Sequence, residues 1–149
     1  MNAEPSENEL TTTLRRDVRE VGDSPSGLLH EYLDTIPQAD RIVIEEVAQS
    51  SEKAMLVIFR GSNAGARFLI TGAGATIGRS AKSGIFFDDV TVSRAHAVIE
   101  MGEHAFSIKD SGSLNGTYVN EVSVNEKNLT TGDQIQIGKF HLLFVSGRK

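Results

Sequence analysis

The chain has no cysteine, which excludes a disulfide framework and thiolate metal sites and is compatible with a reducing cytoplasm. Long apolar runs are missing too. The longest, Ala54 to Phe59, falls far short of the roughly 20 residues of a membrane-spanning helix. Met1 to Leu10 is acidic and polar, without the basic start and apolar stretch of a secretory signal. The four histidines (His30, His96, His104 and His141) show no metal-ligand spacing. No internal repeat is evident. The expectation is a small cytoplasmic monomer with no cofactor, no metal and no membrane contact.

The charge is unevenly spread. The net charge is −5, but residues 1–52 carry 12 acidic against 4 basic residues, and residues 53–149 carry 8 against 11. All seven Phe and twelve of the fourteen Gly fall in the second part. The first part therefore lacks the means to build a core, and residues 1–53 are expected to form a disordered or weakly structured acidic tail. Residues 54–146 are the expected folded domain, close to the size of one ordinary domain, with 147–149 as a C-terminal end. The domain's modest positive charge suits an anionic peptide better than a nucleic-acid backbone, which calls for a far more basic surface.

From Met55 onward the pattern is short strands and turns. Met55–Phe59 reads as a buried strand closed by Gly61-Ser62-Asn63, and Arg67–Ile70 as a second that ends in the Thr71–Gly74 turn. Further short apolar pieces follow at Thr76-Ile77, Ile85–Phe87, Ala97–Ile99, Phe106–Ile108, Thr117–Val119 and Val122–Val124. Gln134–Ile137 alternates with a period of two, and Phe140–Val145 is the last strand. Ten or eleven short strands with turns at regular intervals predict an all-β sandwich. In the tail, Leu28–Leu33 could form a short amphipathic helix stopped by Pro37. Arg41–Glu46 has strand-like residues without an evident partner.

Three groups of residues carry the chemistry. They are Gly78-Arg79, Ser93-Arg94-Ala95-His96 and Ser113-Leu114-Asn115-Gly116-Thr117. An arginine on a glycine-released loop, a hydroxyl on a second loop and an amide on a third are what a phosphate-bearing peptide needs. The planar guanidinium can meet two phosphate oxygens, the hydroxyl donates, and the amide grips the ligand's backbone. Other readings compete. Asn115-Gly116 alone is a common hairpin turn, and Arg94 could simply be solvated. Ser93 and His96 could be read as nucleophile and base, but no orienting acid or oxyanion hole can be placed with them, so an enzyme is not expected. Gly72 to Gly78 is rich in glycine, yet no helix follows it and no Gly-Lys-Ser/Thr occurs, which rejects a nucleotide loop.

The order and spacing of the three groups resemble the forkhead-associated (FHA) domain, a module that reads phosphothreonine. The resemblance implies an FHA-type β-sandwich with its recognition loops gathered at one end. It assigns Arg79 as primary phosphate ligand and Ser93 as a hydroxyl donor, with Arg94 near the ligand's backbone. Asn115 would hold the ligand main chain, while Ser113 and the Leu114 N–H help line the phosphate site. Gly78, His96, Gly116 and Thr117 become structural positions of the motif. Residues 54–146 further resemble a bacterial subgroup, the small FHA inhibitors of the 2-oxoglutarate dehydrogenase complex. That likeness rests on Asn63–Leu69, Asp88–Arg94, Gly112–Asn120 and Thr131–Phe140.

The subgroup carries a Glu-Thr-Thr-Ser motif in its tail, phosphorylated by Ser/Thr protein kinases. Here the run is Leu10-Thr11-Thr12-Thr13. Thr11 and Thr12 match the two threonines, and Thr13 is a third candidate. The implied function is a switch. The free protein binds and inhibits the 2-oxoglutarate dehydrogenase component, with glutamate dehydrogenase or glutamate synthase as second targets. A phosphorylated tail threonine then occupies the domain's own site. The rival is an adaptor that recruits a phosphorylated protein or a Ser/Thr kinase.

Overall fold

The computed structural model describes residues 25–61 and 63–148. Thr11, Thr12 and Thr13 lie outside the described residues. The chain divides into two compact units, residues 1–36 and 37–149. In the first, the expected helix is α1 (Pro25–Leu33), with Leu29 and Leu33 buried one turn apart. Its C-terminal carbonyls are closed by Asp34 N donating to His30 O and Thr35 N donating to Tyr32 O.

The second unit opens with α2 (Gln38–Ala48), which corrects the strand-like reading of Arg41–Glu46. The β-branched residues there have no strand to pair with. Wound as a helix, the segment instead buries Ile44 and Val47 on one face, and Arg41 Nε meets Glu45 Oε2 at 3.0 Å across one turn. Burial of one face outweighs the modest helix propensity of Ile and Val. Asp40 Oδ1 accepts from Arg67 Nη1 at 3.0 Å, tying α2 to the sandwich. The last stretch before the sandwich is thus a packed helix, not flexible chain.

Eleven strands follow among the described residues. They are β1 (Ala54–Arg60), β2 (Arg67–Ile70), β3 (Ala75–Gly78), β4 (Ile85–Phe86), β5 (Ala97–Met101), β6 (Phe106–Asp110), β7 (Thr117–Val119), β8 (Val122–Val124), β9 (Glu126–Asn128), β10 (Gln134–Ile137) and β11 (Phe140–Val145). One sheet has the order β9-β6-β5-β3-β4 and the other β2-β1-β11-β10-β7-β8. The pairings are antiparallel apart from β3 with β4. The all-β sandwich expected from the sequence is the observed fold.

Between the sheets lie Leu56, Ile58, Ile77, Ile99, Phe106, Ile108, Ile135, Leu142 and Phe144, each almost wholly buried. Burial of such side chains is the main stabilising term of a small sandwich. One aromatic cluster matters for the site. Phe87 stacks on Phe140 at 4.3 Å and meets Phe68 edge-on at 5.6 Å, while its N–H donates to Gly78 O at 3.0 Å. The start of the 87–96 loop is thereby fixed to the core. The C-terminal end is also held: Gly147 N donates to Ser50 O, and Arg148 donates to the carbonyls of Ser51, Gly102 and Glu103. No described helix is long and apolar enough to cross a membrane.

Candidate functional site

Gly78 closes β3 where the chain meets the 91–96 loop backbone to backbone. Arg79 N donates to Ser93 O at 2.9 Å, Ser80 N to Arg94 O at 3.2 Å, and His96 N to Ile77 O at 2.9 Å. A Cβ at Gly78 would run into the Arg94 carbonyl, so only glycine allows this approach. The consequence is that Arg79 and Ser93 stand side by side. Arg79 is half-buried, and its Nε donates to Val92 O at 3.0 Å. Among the described residues its two terminal nitrogens have no acceptor, which leaves the forked end of the guanidinium for a ligand.

His96 joins the second loop to the third. It is fully buried. Its Nδ1 lies 3.0 Å from Ser93 N, a donor, so Nδ1 accepts, and Nε2 carries the proton to Gly116 O at 2.9 Å. Both ring nitrogens are engaged with backbone and neither with Ser93 Oγ. The pair is therefore arranged as a brace, not as base and nucleophile. Ser93 Oγ itself accepts from Leu114 N at 2.9 Å, which leaves its own proton to donate.

The third loop is organised by Asp110 at the end of β6. Its carboxylate accepts from Gly112 N, Ser113 N, Ser113 Oγ at 2.6 Å and Thr117 Oγ1 at 2.7 Å. Burial, the largest single influence, pushes the Asp110 carboxyl up. The donors of Ser113, Thr117 and Gly112 together outweigh it and hold the group below the ordinary carboxylate range. Ser113 Oγ also accepts from Gly116 N at 2.9 Å, so this hydroxyl is spent inside the loop. Thr117 is fully buried.

Asn115 Nδ2 donates to Thr91 O at 3.0 Å, so the amide spans from the third loop to the second. Thr91 is held in turn. Asp89 Oδ1 accepts from Thr91 Oγ1 at 2.6 Å and Thr91 N at 2.9 Å, while Asp89 Oδ2 pairs with Lys139 Nζ at 2.9 Å. Thr91 Oγ1 accepts from Lys139 N at 2.9 Å. The Thr91 hydroxyl, then the Thr91 N–H, then Lys139 draw the Asp89 carboxyl down to about 2. Thr91, Asn115, Gly116, Tyr118, Gln136, Gly138 and Lys139 line an open groove of about 460 Å³.

The structure brings Arg79, Ser93 and Asn115 onto three adjoining loops, with Arg94 exposed beside them and free of ion pairs among the described residues. Leu114 contributes a backbone N–H already bonded to Ser93. Sequence reasoning missed Asp110 and the Asp89–Thr91–Lys139 group. Asp110 has a local signal, an Asp followed by Gly and Ser at +2 and +3, where such side chains receive backbone N–H groups. Lys139 lies 48 residues from Thr91, and nothing local announces that contact.

The FHA domain family matches residues 75–138. An oxoglutarate dehydrogenase inhibitor of Corynebacterium efficiens is 56% identical over 94 residues, 63% of this chain and 66% of that protein. The match thus spans about two thirds of that relative's length. One of the same description from Corynebacterium jeikeium is 42% identical over 141 residues, 95% of this chain and 90% of that protein. A solved FHA domain, studied for phosphothreonine-dependent interactions, has 29% identity and a TM-score of 0.57, covering 62% of this chain and 95% of its own. Fold, loop architecture and relatives lead to one conclusion: the chain belongs to the FHA domain family.

Proposed function

We propose that this chain is a monomeric, cytoplasmic, non-enzymatic regulator. Its domain binds phosphothreonine through Arg79, Ser93 and Asn115, and its unphosphorylated form inhibits a 2-oxoglutarate dehydrogenase complex. The observation that carries the binding site is the set of free donors on interlocked loops: the forked end of Arg79, the Ser93 hydroxyl and the exposed Arg94. The inhibitory role follows the relatives, which bear that description at 42–56% identity. Enzymes of glutamate metabolism are second candidate targets.

A Ser/Thr kinase would switch the protein off by phosphorylating Thr11 or Thr12, with Thr13 as a third acceptor, so that the tail fills its own site. Chain length allows it. The connection from Thr12 to α2, with α1 wound, spans at most on the order of 70 Å, well beyond the width of a small domain. A tethered ligand acts at an effective concentration on the order of millimolar. Against a micromolar peptide affinity, closed exceeds open roughly a thousandfold, or ~4 kcal/mol.

Calorimetry with tail peptides tests the site. The phosphothreonine form should bind, its unphosphorylated twin should not, and Arg79→Ala should weaken binding at least tenfold, since a charge-assisted hydrogen bond contributes ~1.5–3 kcal/mol. Equal affinity for both peptides would end the reading. In the full chain, kinase treatment should shift the amide resonances of Arg79, Ser93 and Asn115. A phosphorylated chain with those resonances unmoved would support the adaptor role in place of the switch.

A further inference from the structure

Asn115-Gly116 is the sole Asn-Gly pair in the chain. In an unconstrained chain this is the least durable setting for an asparagine, because glycine has no Cβ to shield its amide nitrogen. The Gly116 nitrogen attacks Asn115 Cγ, which forms a C–N bond and closes a five-membered succinimide. The proton of that nitrogen goes to base, and Nδ2 leaves as ammonia. Water then opens the ring to aspartate or isoaspartate, so the net change is hydrolysis of one amide. Asn115 is exposed, and both water and base can reach it.

The folded loops tie down both reacting groups. Gly116 N donates to Ser113 Oγ at 2.9 Å, and Ser113 Oγ donates to Asp110 Oδ1 at 2.6 Å. The nitrogen that must attack is thereby turned to a hydroxyl whose own proton is fixed on a carboxylate. Asn115 Nδ2 donates across to Thr91 O at 3.0 Å, so Cγ cannot swing onto Gly116 N unless that bond breaks. Gly116 O accepts from His96 Nε2 at 2.9 Å, which fixes the glycine from its other side. We infer that Asn115 is a latent deamidation site and that Ser113, whose hydroxyl is spent inside the loop, is the residue that holds it closed. Hydrolysis there has a consequence for the site. A carboxylate at position 115 has no N–H for Thr91 O and sets a negative charge on loops built for an anion, and isoaspartate also lengthens the backbone. This consequence rests on the reading that the loops take a phosphothreonine; the deamidation itself does not.

The test follows the mass and peptide map of the full unphosphorylated chain during incubation at mildly alkaline pH, with a synthetic peptide of residues 110–120 as the unguarded reference. Deamidation at Asn115 should run about tenfold or more slowly in the folded chain than in the peptide, since two hydrogen bonds must break first. Ser113→Ala should speed it roughly fivefold to tenfold, the weight of one hydrogen bond. Ser113→Thr, which keeps the hydroxyl, should restore protection. Thr117→Val withdraws a different donor from Asp110 and leaves Ser113 Oγ in place, so it should stay near the unaltered rate. If it speeds hydrolysis as much as Ser113→Ala, general loosening of the loop is responsible and the inference fails. Equal rates in the folded chain and the peptide would also overturn it, and that comparison needs no variant to fold. Binding of a phosphothreonine peptide is read separately, by calorimetry, and should fall in proportion to the hydrolysed fraction. Undiminished binding by the hydrolysed chain would overturn the consequence for the site. If the fresh chain binds no phosphopeptide while the rates behave as expected, the phosphothreonine reading fails and the guarded asparagine stands.

Discussion

Asp89 and Asp110 show how this site is held by residues that a ligand never needs to touch. Each carboxylate collects several donors from its own loop, and each is drawn below its ordinary range as a result. For Asp89 the folded value is about 2 against 3.8 for the free group. A carboxyl with a lowered folded value adds stability that is fully present above about pH 4 and is lost as pH falls towards 2. The stability difference between the unaltered chain and Asp89→Asn should therefore shrink between pH 4 and pH 2, measured by urea denaturation at each pH. A difference that stays constant there would mean that the Thr91 and Lys139 contacts contribute nothing. Asp110→Ala removes the acceptor of the buried Thr117 hydroxyl and of three donors from Gly112 and Ser113. At about 1–3 kcal/mol for a buried group left unsatisfied, it should destabilise the domain by about 2–3 kcal/mol. Asp110→Asn, which keeps one carbonyl oxygen, should cost less.

Among the elements, α2 is the one whose role the sequence hides. Ile44 is 1% exposed on its inner face, and replacing a buried isoleucine by alanine costs about 2–4 kcal/mol. Ile44→Ala should therefore lower the unfolding free energy of the domain by that amount in urea denaturation, whereas no change would show that α2 is not part of the cooperative unit. Strands β1, β10 and β11 were legible because their apolar residues run or alternate over four or more positions. The α2 segment was not, because Ile42-Val43-Ile44 reads as a strand until its lack of a pairing neighbour is known. Strand β9, Glu126-Lys127-Asn128, is exposed at all three positions and is held by its pairing to β6 alone, so no hydrophobic pattern could announce it. The loops divide in the same way. Gly78, His96 and Asn115 stand out as motifs, while the Lys139 contact depends on how β10 and β11 are folded back towards Thr91.

Across the molecule, the acidic excess lies in residues 1–36, with 8 acidic against 3 basic residues, while residues 37–149 balance at 12 and 12, and the groups on the recognition loops suit an anion. Each phosphate added to the tail contributes roughly −1.5 to −2 charges at neutral pH, which raises the attraction without any change in the fold. On the proposed reading an unphosphorylated enzyme target would present its own anion to Arg79, most simply a carboxylate, which has fewer acceptor oxygens than phosphate. Inhibition would then draw on contact area around the loops as well as on charge. On that same reading the two ligands would compete for one set of loops, and that competition would be the switch. The most direct measurement is the activity of a purified 2-oxoglutarate dehydrogenase complex in the presence of the unphosphorylated chain, the tail-phosphorylated chain and the phosphorylated Arg79→Ala chain. The account predicts inhibition by the first and relief of inhibition by the second. The third should neither close on itself nor bind the enzyme tightly. Absence of inhibition by the unphosphorylated chain, or equal inhibition by the first two, would contradict it.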